Sequence, residues 1–175
     1  NSDAIFAYLR AQPAVAQANQ AQALRWPYNS QWALGVWRAL YFRSAGFKPD
    51  ATKPESWNRG AYLVQGLGHC SACHAQRNAL GASANALALS GGVIPQQGWY
   101  APSLLSRSEA GVQDWDTADI ARLLHGGNSQ RATVSGPMAE VVLHSTQYLS
   151  NADLAAMAQY LKDLPAAPLA AAQTK

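Results

Sequence analysis

Charge is scarce in this chain of 175 residues: Asp, Glu, Lys and Arg together make up 13% of it. Against a hydrophobic fraction of 49%, that scarcity argues against disorder over most of the length. It leaves enough apolar material for one core, or for a compact domain with an appended segment. Arg and Lys are scattered and form no basic run, so the formal charge of +3 carries no nucleic-acid footprint. No hydrophobic stretch approaches the length of a membrane-spanning helix. A signal-peptide pattern is absent too, and with Asn1 as its first residue the chain reads as a mature protein or a fragment. Cysteine occurs only at positions 70 and 73. With no second pair, a structural zinc site lacks half of its ligands.

What is present at those cysteines is Cys70-Ser71-Ala72-Cys73-His74, the pattern of covalent haem attachment. The spacing has a chemical reason. One turn of helix places both sulfurs under one porphyrin edge, where each adds to a vinyl group as a thioether. The adjacent His74 then offers its imidazole to the iron as the proximal ligand. The competing reading of Cys-x-x-Cys is a redox-active disulfide, which wants a βαβ setting; no strand pattern surrounds these residues. The sequence pI of about 9.0 counts the polypeptide alone, and two haem propionates would cancel much of its positive charge.

The second axial position needs a soft or nitrogen ligand, for which the chain offers Met138, Met157, His69, His125 and His144. Met138 follows Gly136-Pro137 in a turn-forming stretch, 64 residues beyond His74 (138 − 74), enough chain to wrap a haem. Met157 lies in an apolar helical stripe and reads as core filler. His69 precedes the motif and would point away from the distal face. His125 ends a helix, where an imidazolium suits the helix dipole, and His144 reads as surface. Met138 is therefore the expected distal ligand. A thioether favours reduced iron and leaves no open position for substrate, which argues for electron transfer over haem catalysis.

Periodicity predicts a helix over 1–12, stopped by Pro13; a short helix over 31–43, apolar nearly all round; a helix over 57–67, broken at Gly66 and Gly68; a loop over 75–106; a helix capped by Asp116 or Thr117 and ended at Gly126-Gly127; a short turn over 139–144; and a last helix over 151–164. The apolar helix over 31–43 must be covered, by its own domain or by a neighbour. Residues 7–13 (Ala-Tyr-Leu-Arg-Ala-Gln-Pro) parallel residues 159–165 (Gln-Tyr-Leu-Lys-Asp-Leu-Pro) at an offset of 152 (160 − 8). This suggests that residues 1–13 are the tail of a preceding domain of the same kind. The expected division is then 1–13 tail, 14–55 aromatic linker, 56–167 haem domain and 168–175 flexible end.

These residues together resemble class I cytochrome c. More particularly, the chain looks like one domain of the three-haem cytochrome c subunits of periplasmic membrane-bound dehydrogenases acting on alcohols, gluconate or aldehydes. The resemblance spans nearly the whole chain. It is carried by Trp57-Asn58-Arg59-Gly60-Ala61-Tyr62-Leu63, Gly66-Leu67-Gly68-His69-Cys70, Trp99-Tyr100-Ala101-Pro102-Ser103-Leu104, Gly136-Pro137-Met138-Ala139-Glu140-Val141-Val142 and Ser145-Thr146-Gln147-Tyr148-Leu149-Ser150. It implies an all-α class I cytochrome c fold with an N-terminal helical and aromatic extension, holding one covalent haem c. Cys70 and Cys73 would carry the thioethers, with His74 and Met138 as axial ligands. Pro102 resembles the proline whose carbonyl accepts the proximal imidazole N–H, and Trp115 the tryptophan near a propionate. Gly60 would sit where the first and last helices cross, against Tyr160 or Leu161. Ser103 stands where that family often has Asn, and the chain has one attachment motif where those subunits carry three. The implied setting is periplasmic. The implied partners are redox proteins (a dehydrogenase subunit, a neighbouring cytochrome domain, an oxidase or a quinone site), with the membrane reached only through them. Two other readings are a haem enzyme or gas sensor with a displaceable distal ligand, and an interaction module whose aromatic segment Trp26 to Phe42 binds a partner.

Overall fold

The computed structural model describes residues 2–44, 46–83, 88–94 and 97–166; the expected flexible end at 168–175 lies outside them. It divides the chain into two compact units, Asn1–Ser44 and Ala45–Lys175. The described residues are mostly helical.

The first unit holds α1 (Ser2–Arg10) and α2 (Gln31–Tyr41). Pro13 lies just beyond α1, and Ser30 caps α2 by accepting the Ala33 N–H at 3.1 Å. Neither helix buries a residue. The sequence leads one to expect the apolar surface of α2 to be covered; Trp32, Leu34 and Leu40 on it are exposed.

The second unit begins ahead of its first helix. Asn58 Nδ2 donates to the carbonyls of Asp50 and Lys53, and Asn58 Oδ1 accepts the Asp50 N–H. The Phe47 ring meets Tyr62 edge-on at 5.4 Å. Residues 47–54, part of the linker in the sequence reading, are thus tied to the helix that follows them. That helix, α3 (Glu55–Tyr62), runs without a break into a π-turn over Leu63–Leu67. Then come α4 (Ser71–His74), a hairpin of β1 (Gly92–Val93) and β2 (Tyr100–Ala101), α5 (Thr117–Gly126), α6 (Pro137–His144), a 3-10 turn (Thr146–Tyr148) and α7 (Asn151–Asp163). The hairpin is antiparallel, with Gly92 opposite Ala101 and Val93 opposite Tyr100, and it is the one named sheet among the described residues. No described helix is long and apolar enough to cross a membrane.

Local chemistry explains the ends of these elements. Gly127, at φ 72, ends α5 in the left-handed conformation that a side chain resists. Ser150 Oγ accepts the Asp153 N–H at 3.1 Å and opens α7. The core forms where α3 crosses α7. Leu154, Met157 and Leu161 of α7 are buried with Val64 of the π-turn and Ile120 and Leu124 of α5. The crossing is close because position 60 has no side chain. A Cβ there would lie 2.6 Å from the Ala156 carbonyl carbon and 2.9 Å from Tyr160 Cβ. Trp57 packs edge-on against Tyr160 at 5.0 Å, and Arg59 pairs with Asp153 through two bonds of 2.7 and 3.1 Å.

Candidate haem-attachment site

The π-turn delivers the chain to the cysteines. The Gly68 N–H donates to the Leu63 carbonyl at 2.7 Å, and the Cys70 N–H donates to that of Val64 at 3.3 Å. A Cβ on Gly68 would stand 2.8 Å from the Leu63 carbonyl oxygen, so glycine permits the tight wind. His69 then takes φ 48, with its Nδ1 3.0 Å from the Leu67 carbonyl. The chain turns there into the single turn of α4, closed by the His74 N–H on the Cys70 carbonyl at 2.9 Å. Cys70 and Cys73 are half-buried free thiols. Burial pushes the Cys70 thiol up to about 11.

His74 is held from the other side. Its Nδ1 lies 2.7 Å from the Pro102 carbonyl oxygen. A carbonyl only accepts, so Nδ1 carries the proton and donates it, which leaves Nε2 as the nitrogen able to ligate. Burial pulls the imidazole's pKa below its ordinary value, opposed by that hydrogen bond; both observations describe a neutral, oriented ring. Met138 is half-buried in the first turn of α6 and packs against the core. It follows Pro137 and Gly136, whose φ of 53 and ψ of −138 turn the chain sharply into the helix.

Met157 is buried in α7. His125 is exposed at the end of α5, and His144 is exposed beside Glu140 Oε2 at 3.1 Å. Trp115 is half-buried; its ring lies 5.9 Å from the Arg131 guanidinium carbon, and its carbonyl accepts a bond of 2.6 Å from Lys162 Nζ. Ser103, in the place where Asn is usual, is buried. Its Oγ donates to the Leu89 carbonyl at 3.3 Å and accepts the N–H groups of Leu105 and Ser106.

Sequence reasoning missed the hairpin that supports this site, reading 75–106 as plain loop. The Gly91 N–H donates to the His74 carbonyl at 2.9 Å. Gly92 lies flat on the chain after His74, where a Cβ would be 2.9 Å from the Ala75 carbonyl carbon. Glu109 Oε2 accepts from both Tyr100 Oη, at 2.9 Å, and the Ser103 N–H, at 2.7 Å. The signal is there in apolar Val93-Ile94 after Gly91-Gly92 and aromatic Trp99-Tyr100 after Gly98.

The donor set fits a c-type haem. Two thiols a helical turn apart could each add to a vinyl group as a thioether, and a neutral imidazole nitrogen and a thioether sulfur are donors that a haem iron would accept. Among the described residues no group of three or more His, Cys, Asp or Glu gathers to hold a bare metal ion.

Known proteins agree with this class. No family model matches the chain. It is 41% identical over 162 residues, 88% of its length, to the cytochrome c subunit of the quinone alcohol dehydrogenase of Gluconobacter oxydans. It is 37% identical over 171 residues, 93% of its length, to the gluconate 2-dehydrogenase cytochrome c subunit of Pantoea cypripedii. A diheme cytochrome c-type protein of Cereibacter sphaeroides matches at 35% over 161 residues. The chain is therefore a c-type cytochrome. Within that class it is a homologue of the cytochrome c subunits of dehydrogenases. It spans 34% and 39% of the length of the first two of these relatives and 52% of the third.

Proposed function

We propose that this chain is an electron-transfer module carrying one haem c in a class I cytochrome c fold over residues 56–167. In this reading Cys70 and Cys73 hold the haem covalently, and His74 and Met138 are its axial ligands. The observation that carries it is the Cys-x-x-Cys-His turn with His74 Nδ1 anchored on Pro102 at 2.7 Å, a ring oriented to ligate through Nε2. Bound there, the haem supplies an iron that alternates between ferric and ferrous states. The chain's own residues fix the imidazole tautomer, bury the thiols and offer the Met138 thioether, which leaves no position for a substrate. The module is a relay and not a catalytic subunit. Its relatives' names point to a dehydrogenase as electron source; in this reading the sink is a neighbouring haem domain, a quinone site or an oxidase. Covalent haem attachment suits a periplasmic setting, with membrane association through partners.

Residues 1–13 are, in the same proposal, the last helix of a preceding domain of this kind, and 14–55 the linker between. At the offset of 152, Ala4, Ile5, Tyr8 and Leu9 fall on Ala156, Met157, Tyr160 and Leu161. In α7, Ala156 and Tyr160 meet α3 at Gly60, and Met157 and Leu161 are buried in the core. Tyr160 is 3% and Leu161 5% exposed, whereas Tyr8 is 66% and Leu9 62% exposed. The α1 face has the pattern of a helix made to cross a glycine-bearing helix.

The test is the visible and near-infrared spectrum of the haem-loaded protein. A c-type reduced spectrum with the weak thioether-to-ferric-iron charge-transfer band supports both the attachment and the ligand pair. A high-spin ferric spectrum without that band, with rapid stoichiometric carbon monoxide binding after reduction, would sink the relay and favour a haem enzyme or gas sensor.

A further inference from the structure

The segment 99–102 touches both sides of the proposed haem site. At its far end, the Pro102 carbonyl accepts from His74 Nδ1 at 2.7 Å. At its near end, the Trp99 ring lies against Gly136, two residues before Met138. A Cβ on Gly136 would stand 2.8 Å from Trp99 Cζ3 and 2.9 Å from Cε3 and Cη2, so the ring lies flat on the glycine's bare face. The contact explains part of why glycine stands at 136; its φ of 53 explains the rest.

The segment itself is well held. The Ile94 N–H donates to the Trp99 carbonyl at 2.8 Å, closing the hairpin above β2. Tyr100 Oη and the Ser103 N–H share Glu109 Oε2, and the Gly91 N–H fastens the hairpin to the His74 carbonyl at 2.9 Å. Trp99 is nonetheless 50% exposed. A large aromatic ring half in solvent, seated on a glycine in a strained turn, contributes little to a core. Its contact with Gly136 is with the turn that leads into Met138.

From this we infer that Trp99 is the positioning residue for the distal ligand. It pins the Gly136-Pro137-Met138 turn to the hairpin that also holds His74, so that one rigid element sets both axial ligands. The inference rests on the proposed ligation by Met138. Without the ring, the turn opens more often and the thioether spends more time off the iron, where an added ligand can capture the vacant position. The apparent affinity for such a competitor rises with the open fraction.

The experiment uses haem-loaded protein and imidazole as the competitor, following the charge-transfer band of the ferric form. Trp99→Ala is expected to lower the imidazole concentration that abolishes half of the band by about tenfold, the factor that a change of about 1.4 kcal/mol in the opening equilibrium gives. Trp99→Phe keeps a flat ring over Gly136 and is expected to stay within about twofold of the unsubstituted protein. The reduction potential should fall in Trp99→Ala, because lost thioether contact disfavours ferrous iron. Trp99→Leu gives a second apolar variant without the ring and should follow Trp99→Ala. If Trp99→Ala and Trp99→Leu titrate with imidazole as the unsubstituted protein does, the ring does not position Met138 and the inference fails while the ligand assignment stands. If the unsubstituted protein has no charge-transfer band, Met138 is not the ligand and both fail together.

Discussion

Replacing Gly60 with alanine separates two opposing effects of known sign. In an ordinary helix interior the change stabilises by about 0.5–1 kcal/mol, because alanine loses less backbone entropy on folding. At the α3–α7 crossing the new Cβ would stand 2.6 Å from the Ala156 carbonyl carbon and 2.9 Å from Tyr160 Cβ. Carbon atoms rest about 3.5–4.0 Å apart, so the helices must part by about 1 Å. The obstacle is backbone and a buried Cβ, neither of which can swing aside. Overpacking of this kind costs about 1–3 kcal/mol, and rigid neighbours place it at the upper end. The net expectation is a loss of about 2 kcal/mol, or about 4–8 °C in Tm for a domain of this size. Thermal unfolding of the haem-loaded protein, followed by far-ultraviolet circular dichroism, reads it directly. An unchanged or raised midpoint would refute the reasoning, since it would mean that α3 and α7 do not meet at Gly60.

Four further changes test other parts of the structure. Ser150→Ala removes the cap on the Asp153 N–H and should cost about 1 kcal/mol in denaturant unfolding. Tyr160→Phe deletes the bond of 2.5 Å from Gln65 Nε2 to the buried Tyr160 hydroxyl and should cost about 1 kcal/mol. The Arg59 hydrogen bond holds the Asp153 carboxyl below its ordinary pKa of 3.8. Its folded-state value is therefore the lower one, and the stabilisation it carries is present above the unfolded pKa and lost as pH falls through the folded value. Asp153→Asn should thus cost about 0.5–1 kcal/mol near pH 7, the discount reflecting the partly exposed Arg59, and the difference should vanish in acid. Met138→Leu, close in volume, should leave the fold intact while abolishing the charge-transfer band and lowering the reduction potential.

Much of the helical framework was legible in the sequence. Pro13, Ser30, Gly127 and Ser150 act within a few residues of where they stand, so α1, α2, α5 and α7 fall close to their expected spans. The Leu154, Met157 and Leu161 stripe reads directly as a buried face, and it is one. The helix over 57–67 was legible as helix but not as its π-turned end, because the wider wind depends on the Leu63 and Val64 carbonyls finding the Gly68 and Cys70 N–H groups. The hairpin leaves no alternation in the sequence, because its ladder is only two residues a side.

What the sequence by itself determined is local chemistry. Two thiols and an imidazole within five consecutive residues are neighbours by covalent connection, whatever the rest of the chain does. The same holds for a methionine after Gly-Pro and for the Ser30 and Ser150 caps, whereas Asp116, expected to cap α5, makes no side-chain bond there. The tertiary structure alone decided what each of these groups rests on. His74 meets the Pro102 carbonyl 28 residues away, and Gly60 meets α7 nearly a hundred residues on. Trp99 settles on Gly136, across the whole of α5. These contacts arise from packing between segments that share no periodicity. A ring on a glycine or a carbonyl on an imidazole leaves no repeated mark in the chain, and only the folded core brings the two partners within reach.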